Sequence, residues 1–214
     1  NIIIFFIIFF INSGKLLADN IDAFEFSEKG IKELKIRTVR GAKSETSYSI
    51  NVNENGNYLR AEANGGASGL GKELKVNLDK TPFLNITWKV EKDLKGINEK
   101  SKKGHDYAAR VFVIKKTGLT PLSNKAINYV FSSNNQVNDY WKSPYTKSSV
   151  DYVLSTTDEN LNEWVTVKAN VKDHFKLLHN LDVSEITGVA IMTDTDQSKI
   201  DVIAYYQNIY FSSN

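Results

Sequence analysis

Alternation of apolar and polar residues dominates this chain. Tyr48-Ser49-Ile50-Asn51-Val52 puts an apolar side chain at every second position, and Leu74, Val76 and Leu78 do the same around Lys75 and Asn77. Alternate side chains of an extended backbone share a face, so each run predicts a strand with one face in a core. In the longer run from Phe83 to Val90, Leu84, Ile86, Trp88 and Val90 face one way, while Asn85, Thr87 and Lys89 face the other. Asn53-Glu54-Asn55-Gly56-Asn57 separates two alternating runs, and its Asn-Gly step supplies the positive φ of a hairpin turn. Further strands are expected at 107–115, 126–131, 150–154, 164–171, 187–193 and 202–211.

Only 171–180 reads as a helix, with Val171, Phe175 and Leu178 on one stripe and Asp173 near its positive end. The Lys-rich stretch 92–104 has no period and reads as a surface loop. Many short strands with one short helix predict an all-β fold, a two-sheet jelly-roll sandwich. No repeat or linker interrupts the pattern, so a single domain is expected over 19–214.

The first eighteen residues break the alternation. Ile2 to Ile11 is an unbroken run of Ile and Phe, followed by Asn12-Ser13-Gly14 and Leu16-Leu17-Ala18. Such a run is too short to cross a bilayer core of about 30 Å as a helix. It fits the apolar centre of a secretory signal, with cleavage after the small residue Ala18. Neither Met nor a basic leader precedes it, so the reading frame is expected to begin upstream. The expectation is a signal peptide at 1–18, a periplasmic or extracellular mature protein, and no membrane span after cleavage.

Composition then removes chemistry. The 214 residues carry Lys+Arg 27 and Asp+Glu 25, a formal charge of +2, which lacks the basic footprint of a nucleic-acid binder. Cys is absent, which removes thiolate nucleophiles, Cys-ligated zinc and disulfides. An exported domain of this kind depends on its core, and burial of Trp88, Trp164 and the many Phe and Tyr is expected to hold it.

Four local patterns invite a functional reading. Gly66-Ala67-Ser68-Gly69-Leu70-Gly71-Lys72 has phosphate-loop spacing, but Glu73 stands where a Mg²⁺-binding hydroxyl is needed, so a flexible Gly-rich connection is expected. His174 and His179 are five positions apart, about 500° around a helix, and cannot act as an i, i+4 metal pair; solvated histidines are expected. Asp194-Thr195-Asp196 ends a strand with both carboxylates on one side, which suits either a turn or a structural Ca²⁺. Tyr140-Trp141-Lys142-Ser143-Pro144-Tyr145 sets aromatics in a loop, where rings either stack on sugars or cap the sandwich edge.

Arg110 is the most informative charge. It interrupts Tyr107-Ala108-Ala109-Arg110-Val111-Phe112-Val113-Ile114, a strand apolar on both faces and therefore central. A buried guanidinium must be paired or must face a polar groove. Asp106 is the expected companion on its face, and Asn128 and Asn85 interrupt their own strands. Were these strands neighbours, Asn85, Arg110 and Asn128 would form a polar stripe fit for a ligand.

The ordered series Lys102-Lys103-Gly104-His105-Asp106-Tyr107-Ala108-Ala109-Arg110-Val111, Asn128-Tyr129-Val130, Trp141-Lys142-Ser143-Pro144-Tyr145, 189–196, Ala204-Tyr205-Tyr206 and Ile209-Tyr210-Phe211 resembles the bacterial family catalogued as domain of unknown function 3047. The resemblance runs from Phe26 to Phe211. His105 stands where that family commonly has an acidic residue. What it implies is an exported galactose-binding-like or jelly-roll sandwich, with no activity attached.

The favoured expectation is a non-enzymatic binder of a glycan or cell-envelope polymer, using Asn85, Asp106, Arg110, Asn128, Trp141 and Tyr145, with Asp194 and Asp196 as candidate Ca²⁺ ligands. The alternatives are a polysaccharide lyase using Arg110, His105 and Tyr107 or Tyr129, a hydrolase pairing Asp106 with Glu62 or Asp194, and an envelope structural protein. An ideal strand would put Tyr107 and Arg110 on opposite faces, which counts against Tyr107 in the lyase set.

Overall fold

Strands with one buried face pair into two sheets in the computed structural model, which describes residues 20–39, 41–120 and 123–214. The apolar run and the expected signal peptide at 1–18 lie outside the described residues. The first sheet runs β11 (Val165–Asn170), β6 (Phe83–Lys92), β13 (Asp201–Ser212), β4 (Gly56–Asn64), β3 (Ser47–Asn53), with β1 (Ile21–Asp22) also on β13. The second runs β2 (Lys35–Thr38), β5 (Ala67–Asn77), β12 (Glu185–Asp194), β7 (Tyr107–Lys115), β8 (Lys125–Ser132), β10 (Ser149–Thr156), β9 (Tyr140–Lys142). Only β8 and β10 pair in parallel among the described strands. The architecture is the all-β jelly-roll sandwich that the alternation predicts.

The inner faces form one hydrophobic cluster. Leu59, Ala61, Leu84, Ile86, Trp88, Val90 and Tyr206 come from the first sheet, and Leu70, Val111, Val113, Ile127, Tyr129 and Ile191 from the second. The β3–β4 hairpin pairs Asn53 with Gly56, whose φ of 106° meets the need for left-handed backbone. The expected helix is α3 (Val171–His179), capped by the Asn170 side chain and closed by Asn180 in left-handed conformation. The single-turn helices α1 (Glu28–Lys32) and α2 (Thr157–Asn160) accompany it.

Four expectations change. Trp164 is not core: it projects from the outer face of the first sheet, while Trp88 is fully buried and donates to Ser155 Oγ at 2.9 Å. The Gly-rich run is strand rather than connection, because β5 lies so close to β12 that a Cβ at Gly71 would meet the Ala190 Cβ at 3.1 Å. The stretch 92–104 is pinned down rather than free, with Leu94 and Glu99 buried. His174 and His179 are half-buried, bonded to the Tyr129 hydroxyl at 3.0 Å and the Ala126 carbonyl at 2.9 Å.

A β-bulge shapes the second sheet. Met192 pairs with Arg110 but Asp194 with Tyr107, so β7 spends one residue more than β12 between the two pairs. The extra residue inverts the alternation, and Tyr107 and Arg110 end on the same outer face. Tyr206, reaching across from the first sheet, accepts the Arg110 N–H and donates to the Met192 carbonyl at 2.8 Å.

Candidate functional site

Most of the expected ligand residues lie on the outer face of the second sheet. Arg110 is buried there and donates to Asp194, not to Asp106, with its guanidinium 4.9 Å from the centre of the Tyr107 ring. The bulge puts Arg110 on the face of Tyr107, where Asp194, the register partner of Tyr107, is the acid it meets. Asp194 also accepts the Tyr107 N–H at 3.2 Å, and burial pushes its carboxyl up to about 6 despite the guanidinium beside it. Asp106 accepts the backbone N–H groups of Gln197 and Ser198.

One carboxylate oxygen from each of Asp106, Asp194 and Asp196 lies within 4.8 Å of the others. That donor set suits a hard cation in number and charge. Arg110 already places a positive charge against Asp194, and backbone N–H groups occupy Asp106.

Asn128 has a partner that the sequence reading did not single out. Its Nδ2 donates to Asp151 Oδ1 at 2.7 Å, and Asp151 Oδ2 pairs with His105 Nε2 at 2.8 Å. Asp151 is fully buried and interrupts an apolar strand just as Arg110 does, so the same signal marks it. Trp141 is half-buried against Tyr107, Val130 and Val153, with Lys100 4.9 Å from its ring centre. Tyr145 is 54% exposed and folds back, its hydroxyl donating to the Lys102 carbonyl and its ring edge-on to His105 at 5.5 Å.

The bulge thus gathers Arg110, Tyr107 and His105, the set a lyase needs, yet these three side chains are 4%, 1% and 6% exposed. The stretch 93–105 contributes to the seal. Its Glu99 accepts from Ser132, from the Ser133 N–H and from the Asn134 and Asn135 side chains. Asn85 lies apart altogether. Its strand belongs to the first sheet, where Nδ2 donates to Ser212 Oγ at 2.9 Å, so no stripe joins it to Arg110 and Asn128.

The open face belongs to the first sheet. Tyr58 on β4, Tyr205 on β13 and Trp164 just before β11 meet there, with ring centres 5.6, 5.7 and 5.9 Å apart. They line a cavity of about 150 Å³ together with Asn53 and Lys89. Alternation accounts for the assembly: Leu59 and Tyr206 enter the core, so their neighbours Tyr58 and Tyr205 must face out. Burial and a hydrogen bond to Glu91 hold the Tyr205 phenol above its ordinary value, keeping it a neutral donor.

On the same sheet, Thr87 of β6 and Thr166 of β11 bond to each other at 2.9 Å and line a second cavity of about 760 Å³ with Asp22, Asn55, Asn57 and Tyr210. None of these aromatic or amide residues was expected in a site. The readable signal was Tyr205-Tyr206, since two adjacent strand tyrosines cannot both be buried on one face.

Comparison with known proteins bears on fold and family. The family model described as "Protein of unknown function (DUF3047)" matches residues 32–210. No curated protein matches the chain. The family 30 carbohydrate-binding module of the cellulosomal cellulase Cel9D-Cel44B of Clostridium thermocellum superposes with a TM-score of 0.53 at 11% identity, covering 91% of this chain and 98% of that one. A cellulase derived from Cel12A of Rhodothermus marinus gives 0.47 at 9%, covering 89% and 100%. The xyloglucanase domain of NopAA from Sinorhizobium fredii gives 0.45 at 10%, covering 84% and 92%. At such identities the likeness is one of fold alone.

Proposed function

The chain belongs to that family of unknown function, and from this premise we propose that it is a non-enzymatic glycan-binding β-sandwich. The observation that carries the reading is the Tyr58, Trp164 and Tyr205 trio around an open cavity beside Asn53 and Lys89. Aromatic rings offer flat apolar faces to the C–H faces of a pyranose, while amide and ammonium groups bond its hydroxyls. The adjoining Thr- and Asn-lined cavity continues the same face and gives an extended chain room to lie. The sealed outer face of the second sheet, with Arg110 paired to Asp194, serves as structure in this reading. No helix among the described residues is long and apolar enough to cross a membrane. Export, argued from Ile2 to Ile11, would place the binding face toward envelope or extracellular polymers.

Affinity electrophoresis through gels carrying neutral and acidic polysaccharides tests the proposal. Retardation by at least one polymer that Trp164→Ala removes, with the variant still folded, is the expected result. Unretarded migration of folded wild-type protein through every gel would refute it.

A further inference from the structure

The polar atoms of the aromatic cavity are unbalanced. Lys89 lies with its Nζ 5.3 Å from the centre of the Tyr205 ring and is half-buried. No carboxylate pairs with it among the described residues, and Glu91, two positions along the same strand, accepts from the Tyr205 hydroxyl instead. Trp164 Nε1 and the Tyr58 hydroxyl likewise make no hydrogen bond among the described residues. Tyr205 thus spends its hydroxyl proton on the Glu91 carboxylate, and Asn53 has its carbonyl oxygen already taken by the Asn55 N–H at 2.9 Å and Gln207 Nε2 at 3.2 Å. Free donors therefore remain: an ammonium, an indole N–H and a carboxamide NH₂, with one phenol able to serve either way.

A neutral sugar presents hydroxyls that donate as readily as they accept, and such a pocket would leave many of them unpaired. A carboxylate only accepts, and it meets an ammonium in a half-desolvated setting where a charge-assisted hydrogen bond is strong. From this we infer that the cavity selects a hexuronate, its ring against Trp164 and Tyr58 and its carboxylate on Lys89 Nζ and Trp164 Nε1. The occupant is then one residue of an acidic polysaccharide whose chain continues over Thr87 and Thr166. The inference rests on the glycan-binding reading and narrows it to a ligand class.

Calorimetric titration of the full chain in EDTA-containing buffer separates the two claims. The probes are oligogalacturonate, oligoglucuronate and oligomannuronate, each beside its carboxyl-reduced counterpart, with neutral cello-oligosaccharide and a sulfated neutral oligosaccharide as further arms. At least one uronate oligomer should bind about tenfold or more tighter than its reduced form, as expected for loss of one charge-assisted bond. Lys89→Met should abolish that preference and Lys89→Arg keep it, while salt weakens the acidic ligand more than the reduced one. Equal affinity for acidic and reduced chains, a preference that survives Lys89→Met, or binding confined to the sulfated chain would overturn the hexuronate assignment and leave glycan binding standing. Silence from every oligosaccharide, with the thermal transition of the protein intact, would overturn both.

Discussion

The Tyr206 hydroxyl, carried on the first sheet, accepts the backbone N–H of Arg110 on the second at 3.2 Å. The bulge in β7 is what makes that N–H available, because it breaks the ladder between Arg110 and Tyr107. The same hydroxyl donates to the Met192 carbonyl, and Thr193 Oγ1 lies 2.9 Å away. One side chain thus satisfies both halves of a broken ladder pair in a dry interior. Tyr206→Phe keeps the ring and orphans the backbone groups. Denaturant unfolding should show a loss of about 1–3 kcal/mol, the cost of unpaired buried polar groups. A loss of a few tenths would mean that the bulge is held by other contacts.

Arg110 itself supplies the positive charge at a corner holding Asp106, Asp194 and Asp196. Arg110→Met keeps the stem and leaves the carboxylates facing one another. Removing one partner of a buried ion pair costs about 3–5 kcal/mol. A hard cation should then take over the vacated role, so millimolar Ca²⁺ should raise the melting temperature of the variant and leave wild type unchanged. A Ca²⁺-dependent rise in wild type that Asp196→Asn removes would show instead that the ion and Arg110 occupy the corner together.

Much of this architecture was legible in the chain, because period-two burial leaves a direct trace in sequence. The strands at 48–52 and 83–90 needed only that trace, while 107–115 was marked by a continuous apolar run and the helix at 171–180 by its apolar stripe. Arg110 and Asn128 were recognisable as polar residues in central strands, but their partners were not. Pairing depends on which strands are neighbours, and the separation of Asn85 from Arg110 is a property of sheet order that no local pattern encodes. The bulge was equally hidden: one extra residue inverts the face of Tyr107 relative to Arg110 without altering composition. The aromatic trio assembles from β4, β13 and the approach to β11, segments far apart in the chain, so only the folded sheet brings it together.

The two tryptophans Trp88 and Trp164 divide core from face. Trp88 is 0% exposed and donates to Ser155, whereas Trp164 is 37% exposed at the cavity mouth. Trp88→Ala should cost about 3–5 kcal/mol through lost burial and the cavity left behind. Trp164→Ala should cost less, about 1–2 kcal/mol, because its ring packs on an outer face and its removal leaves no enclosed cavity in the core. Paired chemical denaturation curves check both; comparable losses would place Trp164 in the load of the core after all.

The helix α3 carries the pH dependence. Burial lowers the pKa of both His174 and His179, so the folded state holds their protons less tightly than the unfolded chain does. Their contribution is complete above the unfolded value near 6.5 and is lost as pH falls through the lower folded values. Asp194 runs the other way. Its carboxyl, raised by burial from 3.8 to about 6, makes the folded state take up a proton first and gain stability as pH falls through that window. The histidine effect is isolated by His174→Gln with His179→Gln, since a carboxamide can accept from the Tyr129 hydroxyl and donate to the Ala126 carbonyl without titrating. Wild type should lose stability relative to this double variant as pH drops below about 6.5, with the gap widening toward pH 5. Parallel stability curves across that range would mean that the two histidines titrate alike in the folded and unfolded chain, and that α3 stays docked with its histidines charged.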